Sequence, residues 1–130
     1  SRSDSSGTHA AEMSIWAKSG LNPTSFSGSW YLESGQGMGP SLNIATSLGG
    51  YTFTDRSSWL RFQNKANHAI LYENPEELRN DYSMILVNHA RCQNQDYESA
   101  KSLFDWLKSA EAAELISSYQ INNTNVFYID

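Results

Sequence analysis

The chain has 130 residues, and nine Lys and Arg residues against fourteen Asp and Glu residues give it a formal net charge of −5. This length predicts a single domain, and the net acidity argues against a protein that binds nucleic acid non-specifically. The single cysteine, Cys92, excludes an internal disulfide and a cysteine-rich metal site.

The first predicted helix begins within residues 4–8, which read Asp-Ser-Ser-Gly-Thr. Side-chain oxygens of Asp and Ser accept hydrogen bonds from the backbone N–H groups that a first helical turn leaves free. Apolar residues then recur at helical spacing through Ala17. Gly20 suits the left-handed position that follows a helix, so we expect the helix to end there.

A second helix is predicted to begin within residues 34–40, which read Ser-Gly-Gln-Gly-Met-Gly-Pro. Glycines at three alternate positions permit a tight backbone path. Pro40 suits the first helical turn, where its missing N–H group is not needed. Apolar residues continue to Leu48, and the pair Gly49–Gly50 predicts the end of this helix.

A third helix start is predicted at residues 55–58, directly after residues 51–54, whose alternation of apolar and polar residues is typical of a strand. Further strands are predicted at residues 69–72, 84–87 and 126–129. The run 84–87 is apolar throughout, as in a strand covered on both faces.

Two later helices are also predicted. Apolar residues recur at helical spacing over 97–107, and Ser109 can cap another helix that continues to Ile116. Because strands alternate with helices along the chain, the sequence predicts an α/β fold built in layers.

The three helix starts in the first half of the chain predict an anion site. A helix start presents free N–H groups and a partial positive charge. Arg2 and Arg56 lie near two of the starts, and the hydroxyls of Ser6, Thr8 and Thr54 could add donors. Ordinary capping, with no ligand bound, is the alternative for each start taken alone.

Arg2 and Asp4 stand two residues apart and are expected to pair, so that Asp4 orients the guanidinium while Arg2 contacts a ligand. The alternative is a surface ion pair that contributes less than about 1 kcal/mol.

Signals for an enzyme are weak. The three histidines lie far apart without metal-ligand spacing, and any Ser-His-Asp triad assembled from so many serines would lack specificity. Cys92 has only His89 nearby and is predicted to be a free surface thiol. We therefore expect no enzyme activity, no metal and no cofactor.

Four blocks of the sequence, taken in order, resemble the tungstate-binding proteins of bacterial ABC transporters. A weaker resemblance continues from Tyr97 to Tyr119, so it covers nearly the whole chain. The four blocks are residues 1–9 (SRSDSSGTH), 28–31 (GSWY), 34–39 (SGQGMG) and 51–56 (YTFTDR).

This resemblance implies one α/β lobe of a type II periplasmic binding protein, with a short sheet flanked by helices. Such proteins have two lobes that close on the ligand. Residues 1–82 would belong to the second lobe, residues 83–130 would return toward the first lobe, and the first lobe would precede residue 1. We expect the chain to be a piece of a longer protein for that reason.

The ligand-binding residues are carried over from the matching blocks. Arg2 would contact the oxyanion, helix starts would offer N–H groups, and Thr54 to Arg56 of the fourth block would face the same cleft. The residues so implied are Arg2, Ser6, Gly7, Thr8, Gly37, Met38, Gly39, Thr54, Asp55 and Arg56. The chain departs from the family pattern at Ser3, where Gly is frequent, and at Ser5, where Asp is frequent.

The resemblance also implies the biological setting. The protein would capture a tetrahedral oxyanion for import, with tungstate preferred and molybdate possible, and would deliver it to an ABC transporter permease. It would lie in the periplasm, or outside the cell as a membrane-anchored lipoprotein. The isolated chain, without the other lobe, is expected to form a homodimer and to retain little oxyanion.

Three alternatives stay open. Phosphate-binding proteins carry a block similar to residues 2–8, so a phosphate-binding protein of the same fold is the first, with Asp4 or Asp55 accepting the proton of the ligand. A hydrolase or transferase that uses a serine or Cys92 is the second. An interaction domain that has kept the fold and lost the ligand is the third.

Overall fold

The structure is a computed structural model that describes residues 1–92 and 96–129. These residues form two compact units, the first unit Ser1–Arg79 and the second unit from Asn80 onward. In chain order the elements are α1 (Gly7–Lys18), a 3₁₀ turn (Pro23–Phe26), α2 (Met38–Leu48), α3 (Arg56–Arg61), α4 (Tyr97–Leu107), α5 (Ala110–Ser118), β1 (Gln120–Ile121) and β2 (Thr124–Asn125).

The helices of the first unit begin and end where capping chemistry predicts. Ser6 caps α1, its Oγ accepting the N–H of His9 at 3.2 Å. Asp55 caps α3 in the same way. Gly20, just after α1, and Gly49, at the end of α2, have φ of 75° and 63°, the left-handed region that glycine enters without steric cost. The predicted starts of these three helices and the predicted ends of α1 and α2 are confirmed.

Two groups of apolar side chains stabilise the first unit. Met38 and Leu42 of α2 pack with Phe62, and Trp59 of α3 packs partly buried against them. A separate aromatic group joins α1 to the following loop. It consists of Trp16, Phe26, Trp30 and the buried Tyr31, with ring centroids 5.1–6.4 Å apart.

The second unit consists of a helix pair and a hairpin. Ser109 caps α5 as predicted, its Oγ accepting the N–H of Ala112 at 3.2 Å. The antiparallel hairpin β1–β2 pairs Gln120 with Asn125 and Ile121 with Thr124. The two turn residues, Asn122 and Asn123, have φ of 51° and 60°, as a two-residue turn with both residues left-handed requires.

The predicted strands at 51–54, 69–72, 84–87 and 126–129 are wrong in this structure. Among the described residues, the only strands are β1 and β2, apart from one isolated bridge between Ser27 and Tyr31. A strand exists only where a second segment completes its hydrogen-bond ladder, and none of the described segments does so for these four. The sequence patterns therefore identified apolar runs, but not the segments with which such runs would have to pair.

No helix in the described part of the chain is both long enough and apolar enough to cross a membrane.

An open apolar groove of about 280 Å³ runs along the second unit, between residues 84–87 and the face of α4 that carries Leu103, Phe104 and Leu107. Ile85 is 86% exposed and Leu103 is 57% exposed. Large apolar surfaces are rarely left open to water.

We predict that isolated residues 1–130 self-associate at ~100 µM, because pairing of two copies would cover this groove. Sedimentation velocity measures the assembly state. Ile85→Glu should shift the population toward monomer, whereas the control Leu71→Glu, at a position of the first unit that is 75% exposed, should not. A monomeric wild-type chain at that concentration would contradict the prediction.

Candidate functional site

The start of α1 offers two backbone donors that the protein does not use. The N–H of His9 donates to Ser6 Oγ and the N–H of Ala10 donates to the Ser6 carbonyl. Among the described residues, the N–H groups of Gly7 and Thr8 have no acceptor. No acidic residue lies in the first turn, and Gly7 is exposed. These two N–H groups can therefore bind an anion from outside the helix.

Arg2, Asp4 and Ser6 form a small network in front of α1. Arg2 donates from Nε, at 3.0 Å, and from Nη2 to Asp4 Oδ2, and Ser6 donates its backbone N–H to Asp4 Oδ1 at 3.2 Å. Hydrogen bonding by the Ser6 side chain, followed by that of Arg2 and of the Ser6 backbone, lowers the pKa of Asp4 to about 2 against the opposing effect of burial.

The predicted pairing of Arg2 with Asp4 is therefore confirmed, and the pair is largely shielded from solvent, with side chains 18% and 20% exposed. Arg2 Nη1 has no partner among the described residues. Asp4 thus orients the guanidinium by binding one of its edges, and the N–H groups of Nη1 are left to bind a ligand.

The backbone before α1 is strained at two serines. Ser3 has φ of 49° and Ser5 has φ of 58°, a region that costs energy for residues other than glycine. The conformation of Ser3 gives a physical reason why glycine is frequent at this position in the resembling family.

Residues 1–3 are held against residues 32–34. The Ser1 nitrogen donates to the Leu32 carbonyl at 2.8 Å, and the Ser34 N–H donates to the Ser1 carbonyl at 3.0 Å. Ser3 Oγ donates to Glu33 at 2.8 Å. Hydrogen bonds from the hydroxyls of Ser27 and Ser3 lower the pKa of Glu33. The position of Arg2 is therefore set by the loop that precedes α2.

Glu12 of α1 also holds Ser1 and Tyr31 in place through hydrogen bonds to its carboxylate. Its carboxylate accepts hydrogen bonds from Ser1 Oγ at 2.6 Å, from Tyr31 OH at 2.9 Å and from Trp16 Nε1 at 3.2 Å. Burial of Tyr31 raises the pKa of its phenol, and the adjacent Glu12 raises it further.

The start of α2 repeats the pattern of α1. The N–H groups of Met38 and Gly39 have no acceptor among the described residues, and Pro40 has none to offer. The first intrahelical bond runs from the Ser41 N–H to the Gly37 carbonyl at 3.1 Å. No acidic residue lies in this first turn. This second pair of free N–H groups is connected to Arg2 through Ser34, whose Oγ lies 3.3 Å from the Arg2 carbonyl and 2.7 Å from Ser41 Oγ.

In the fourth block, the polar side chains of residues 54–56 already bond to other groups of the protein. Asp55 Oδ1 accepts from Ser57 Oγ at 2.6 Å and from the Ser58 N–H at 2.8 Å. Although burial raises the pKa of Asp55, these hydrogen bonds lower it below the ordinary value. Arg56 pairs with Glu73, and Thr54 Oγ1 donates to the Asp55 carbonyl at 3.2 Å.

The structure thus connects the blocks around Arg2 and Gly37 by hydrogen bonds. No described hydrogen bond joins Thr54, Asp55 or Arg56 to either of them, and a ligand role for these three stays a prediction. The sequence reasoning missed Glu12, Ser34 and Ser41. Ser34 lies in a quoted block, and the spacing of Glu12 and Trp16 places them on one face of α1.

Nothing described here assembles a catalytic group around Cys92. The His89 ring lies against the Tyr97 ring, with centroids 5.3 Å apart, and no described hydrogen bond joins it to Cys92. No group of three metal-ligating side chains occurs among the residues that the structure describes.

Comparison with known proteins identifies the family. A model of the PBP superfamily domain matches residues 1–111. The chain belongs to this superfamily. It is a family of binding proteins, so the chain is a binding-protein domain and not an enzyme. Its fold class is that of an α/β periplasmic-binding-protein lobe, represented here by helices and one two-stranded sheet.

Curated relatives match almost the whole chain. The chain is 37% identical over 98% of its length to a Haloferax volcanii protein named as an ABC transporter anion-binding protein. It is 35% identical over its full length to the tungstate-binding protein TupA of Campylobacter jejuni, and 35% identical over 92% to TupA of Peptoclostridium acidaminophilum. The chain spans 38%, 49% and 41% of these relatives, respectively.

A solved structure is also similar. A protein of unknown function from Vibrio parahaemolyticus is 46% identical and superposes with a TM-score of 0.58, over 88% of this chain and 48% of that protein. The resemblance inferred from four sequence blocks is confirmed by the family match and by the tungstate-binding relatives.

The Asp4 network predicts a pH dependence of stability. Because the pKa of Asp4 falls from 3.8 to about 2 on folding, the ionised carboxylate stabilises the folded state fully above pH 3.8, and this contribution is lost as the pH falls toward 2. Asp4→Asn should therefore lower the free energy of unfolding at pH 7, and its difference from wild type should shrink below about pH 4.

Urea unfolding at several pH values measures this difference. Glu76→Gln, at an exposed carboxylate with no described side-chain partner, is the matched control and should show no such difference at pH 7. A difference for Asp4→Asn that stays constant from pH 7 to pH 3 would contradict the role given to its ionised form.

Proposed function

We propose that this chain forms part of the binding site of a solute-binding protein that captures a tetrahedral oxyanion for an ABC importer. The observation that carries the proposal is the pair of helix starts, α1 and α2, each with two unused backbone N–H groups and no acidic residue in its first turn. Such starts favour anions through their N–H groups and their dipoles. Arg2, oriented by Asp4, supplies further N–H donors from its guanidinium.

Tungstate is the preferred ligand, and molybdate is the second. These dianions carry no proton at neutral pH, so they need donors only, whereas phosphate carries a proton that must meet an acceptor. Asp4 already accepts from Arg2 and Ser6, and Asp55 already accepts from Ser57 and Ser58. Each carboxylate named as an acceptor for the phosphate proton is thus already engaged, which favours the unprotonated oxyanions. Two relatives that bear the name tungstate-binding protein support the same choice.

The cofactor requirement, the partner and the location of the protein follow from this role. Binding rests on hydrogen bonds and charge, so it needs neither a cofactor nor a metal ion of the protein's own. The partner would be the permease of the importer, and the site of action would be the periplasm or, for a lipid-anchored form, the outer face of the cell membrane. Because the chain spans less than half of its curated relatives, further donors would come from the remainder of such a protein.

Calorimetric titration of the full-length protein with tungstate, molybdate, sulfate and phosphate tests the proposal. We expect the tightest binding for tungstate, then molybdate. Arg2→Ala should weaken tungstate binding by about 1.5–3 kcal/mol, the range for a hydrogen bond to a charged group.

Arg91→Ala, at an exposed arginine of the second unit, is the control and should leave affinity unchanged. Tight binding of phosphate with none of tungstate would overturn the choice of ligand. Wild-type affinity in Arg2→Ala would show that Arg2 serves only to hold Asp4.

A further inference from the structure

Two serine hydroxyls connect the backbone of Arg2 with the first turn of α2. Ser34 Oγ is 2.7 Å from Ser41 Oγ, within the first turn of α2, and 3.3 Å from the carbonyl of Arg2. Ser41 Oγ is also 3.2 Å from the Gln36 carbonyl, and Ser34 Oγ accepts the Gln36 N–H at 3.2 Å. Ser41 is buried, with 5% of its surface exposed.

Counting protons shows which of these contacts is constant. The two hydroxyls carry two protons, but three oxygen–oxygen contacts compete for them: Ser34 with Ser41, Ser34 with the Arg2 carbonyl, and Ser41 with the Gln36 carbonyl. If Ser41 donates to Ser34, then Ser34 donates to Arg2. If Ser41 donates to Gln36, then Ser34 can donate to Ser41. A third arrangement, in which both hydroxyls donate to carbonyls, would leave two oxygens 2.7 Å apart with no proton between them. That contact is repulsive at a distance typical of an O–H···O bond, so the bond between the two hydroxyls is kept.

This bond joins Ser34, whose backbone N–H donates to the Ser1 carbonyl next to Arg2, to the helix that carries the free N–H groups of Met38 and Gly39. A buried hydroxyl that loses its partner pays a desolvation cost, so each serine fixes the other in place. The distance between the two donor sets therefore depends on this contact together with the hydrogen bonds that hold residues 1–3 against residues 32–34.

We propose that Ser34 and Ser41 are positioning residues that set the spacing between Arg2 with the α1 start and the α2 start, and so determine which size of oxyanion binds. The inference rests on the oxyanion-binding function proposed above. Sulfate is a smaller tetrahedron than tungstate, because S–O bonds are shorter than W–O bonds. A fixed spacing matched to tungstate discriminates against sulfate, and a loosened spacing does not.

The test measures tungstate and sulfate affinities for the full-length protein and for Ser34→Ala, Ser41→Ala and the double variant. Each single variant should bind tungstate about tenfold more weakly, and the ratio of tungstate to sulfate affinity should fall at least about threefold. The double variant should bind tungstate no more weakly than whichever single variant binds it more weakly, because both changes remove the same bond.

Two further variants separate positioning from folding. Ser34→Thr keeps the hydroxyl and should restore both affinity and selectivity. Ser47→Ala removes an exposed hydroxyl that bonds the Asn43 carbonyl near the other end of α2, and should change neither. Circular dichroism and thermal unfolding establish that each variant is folded, so that affinity is compared between folded proteins.

The outcomes are distinct. Weaker tungstate binding in Ser41→Ala with an unchanged tungstate-to-sulfate ratio would overturn the positioning role, because general destabilisation affects both anions equally. Wild-type affinity and ratio in both alanine variants would overturn it as well, while tungstate binding by those variants would leave the proposed function standing. Absence of binding of any oxyanion to the wild-type protein would overturn both proposals.

Discussion

The backbone N–H groups at the start of a helix have no partner within the helix, and the architecture of the first unit depends on how they are satisfied. Ser6 and Asp55 cap α1 and α3 with their own side chains. The caps nevertheless leave the N–H groups of Gly7 and Thr8 without an acceptor in the part of the chain that the structure describes, and Gly37, which precedes α2, has no side chain to cap it. A protein that leaves such donors open near an oriented arginine is suited to bind an anion.

The surrounding polar contacts hold these donors in place. Glu12 accepts hydrogen bonds from three donors in α1 and its neighbouring segments, and Glu33 accepts from Ser3 and Ser27. Ser34 forms a hydrogen bond with Ser41 in the first turn of α2. The charge of Asp4 is offset by the guanidinium of Arg2, whereas Glu12 and Glu33 are held in fixed positions by the neutral groups that donate to them. The strained backbone at Ser3 persists because these contacts determine the path of the chain.

The sequence predicted what depends on neighbours along the chain and failed where distant partners decide. Ser6, Asp55 and Ser109 cap helices within three residues of themselves, so their role is readable locally. Residues 51–54 and 84–87 were predicted as strands, but a ladder needs a partner that no local pattern names. The pairing of Arg56 with Glu73, and of Ser34 with Ser41, likewise depends on the path of the chain between them.

The most direct test of the account removes one backbone donor and keeps the helix. Gly7 is the first residue of α1, the extended Ser6 precedes it, and a side chain there meets no atom within 4 Å. Proline is favoured at this position and lacks the N–H. Tungstate titration of Gly7→Pro and Gly7→Ala decides the question: the account predicts weaker binding in Gly7→Pro alone, without loss of thermal stability. Tungstate affinity equal to that of the wild-type protein in both variants would contradict the account.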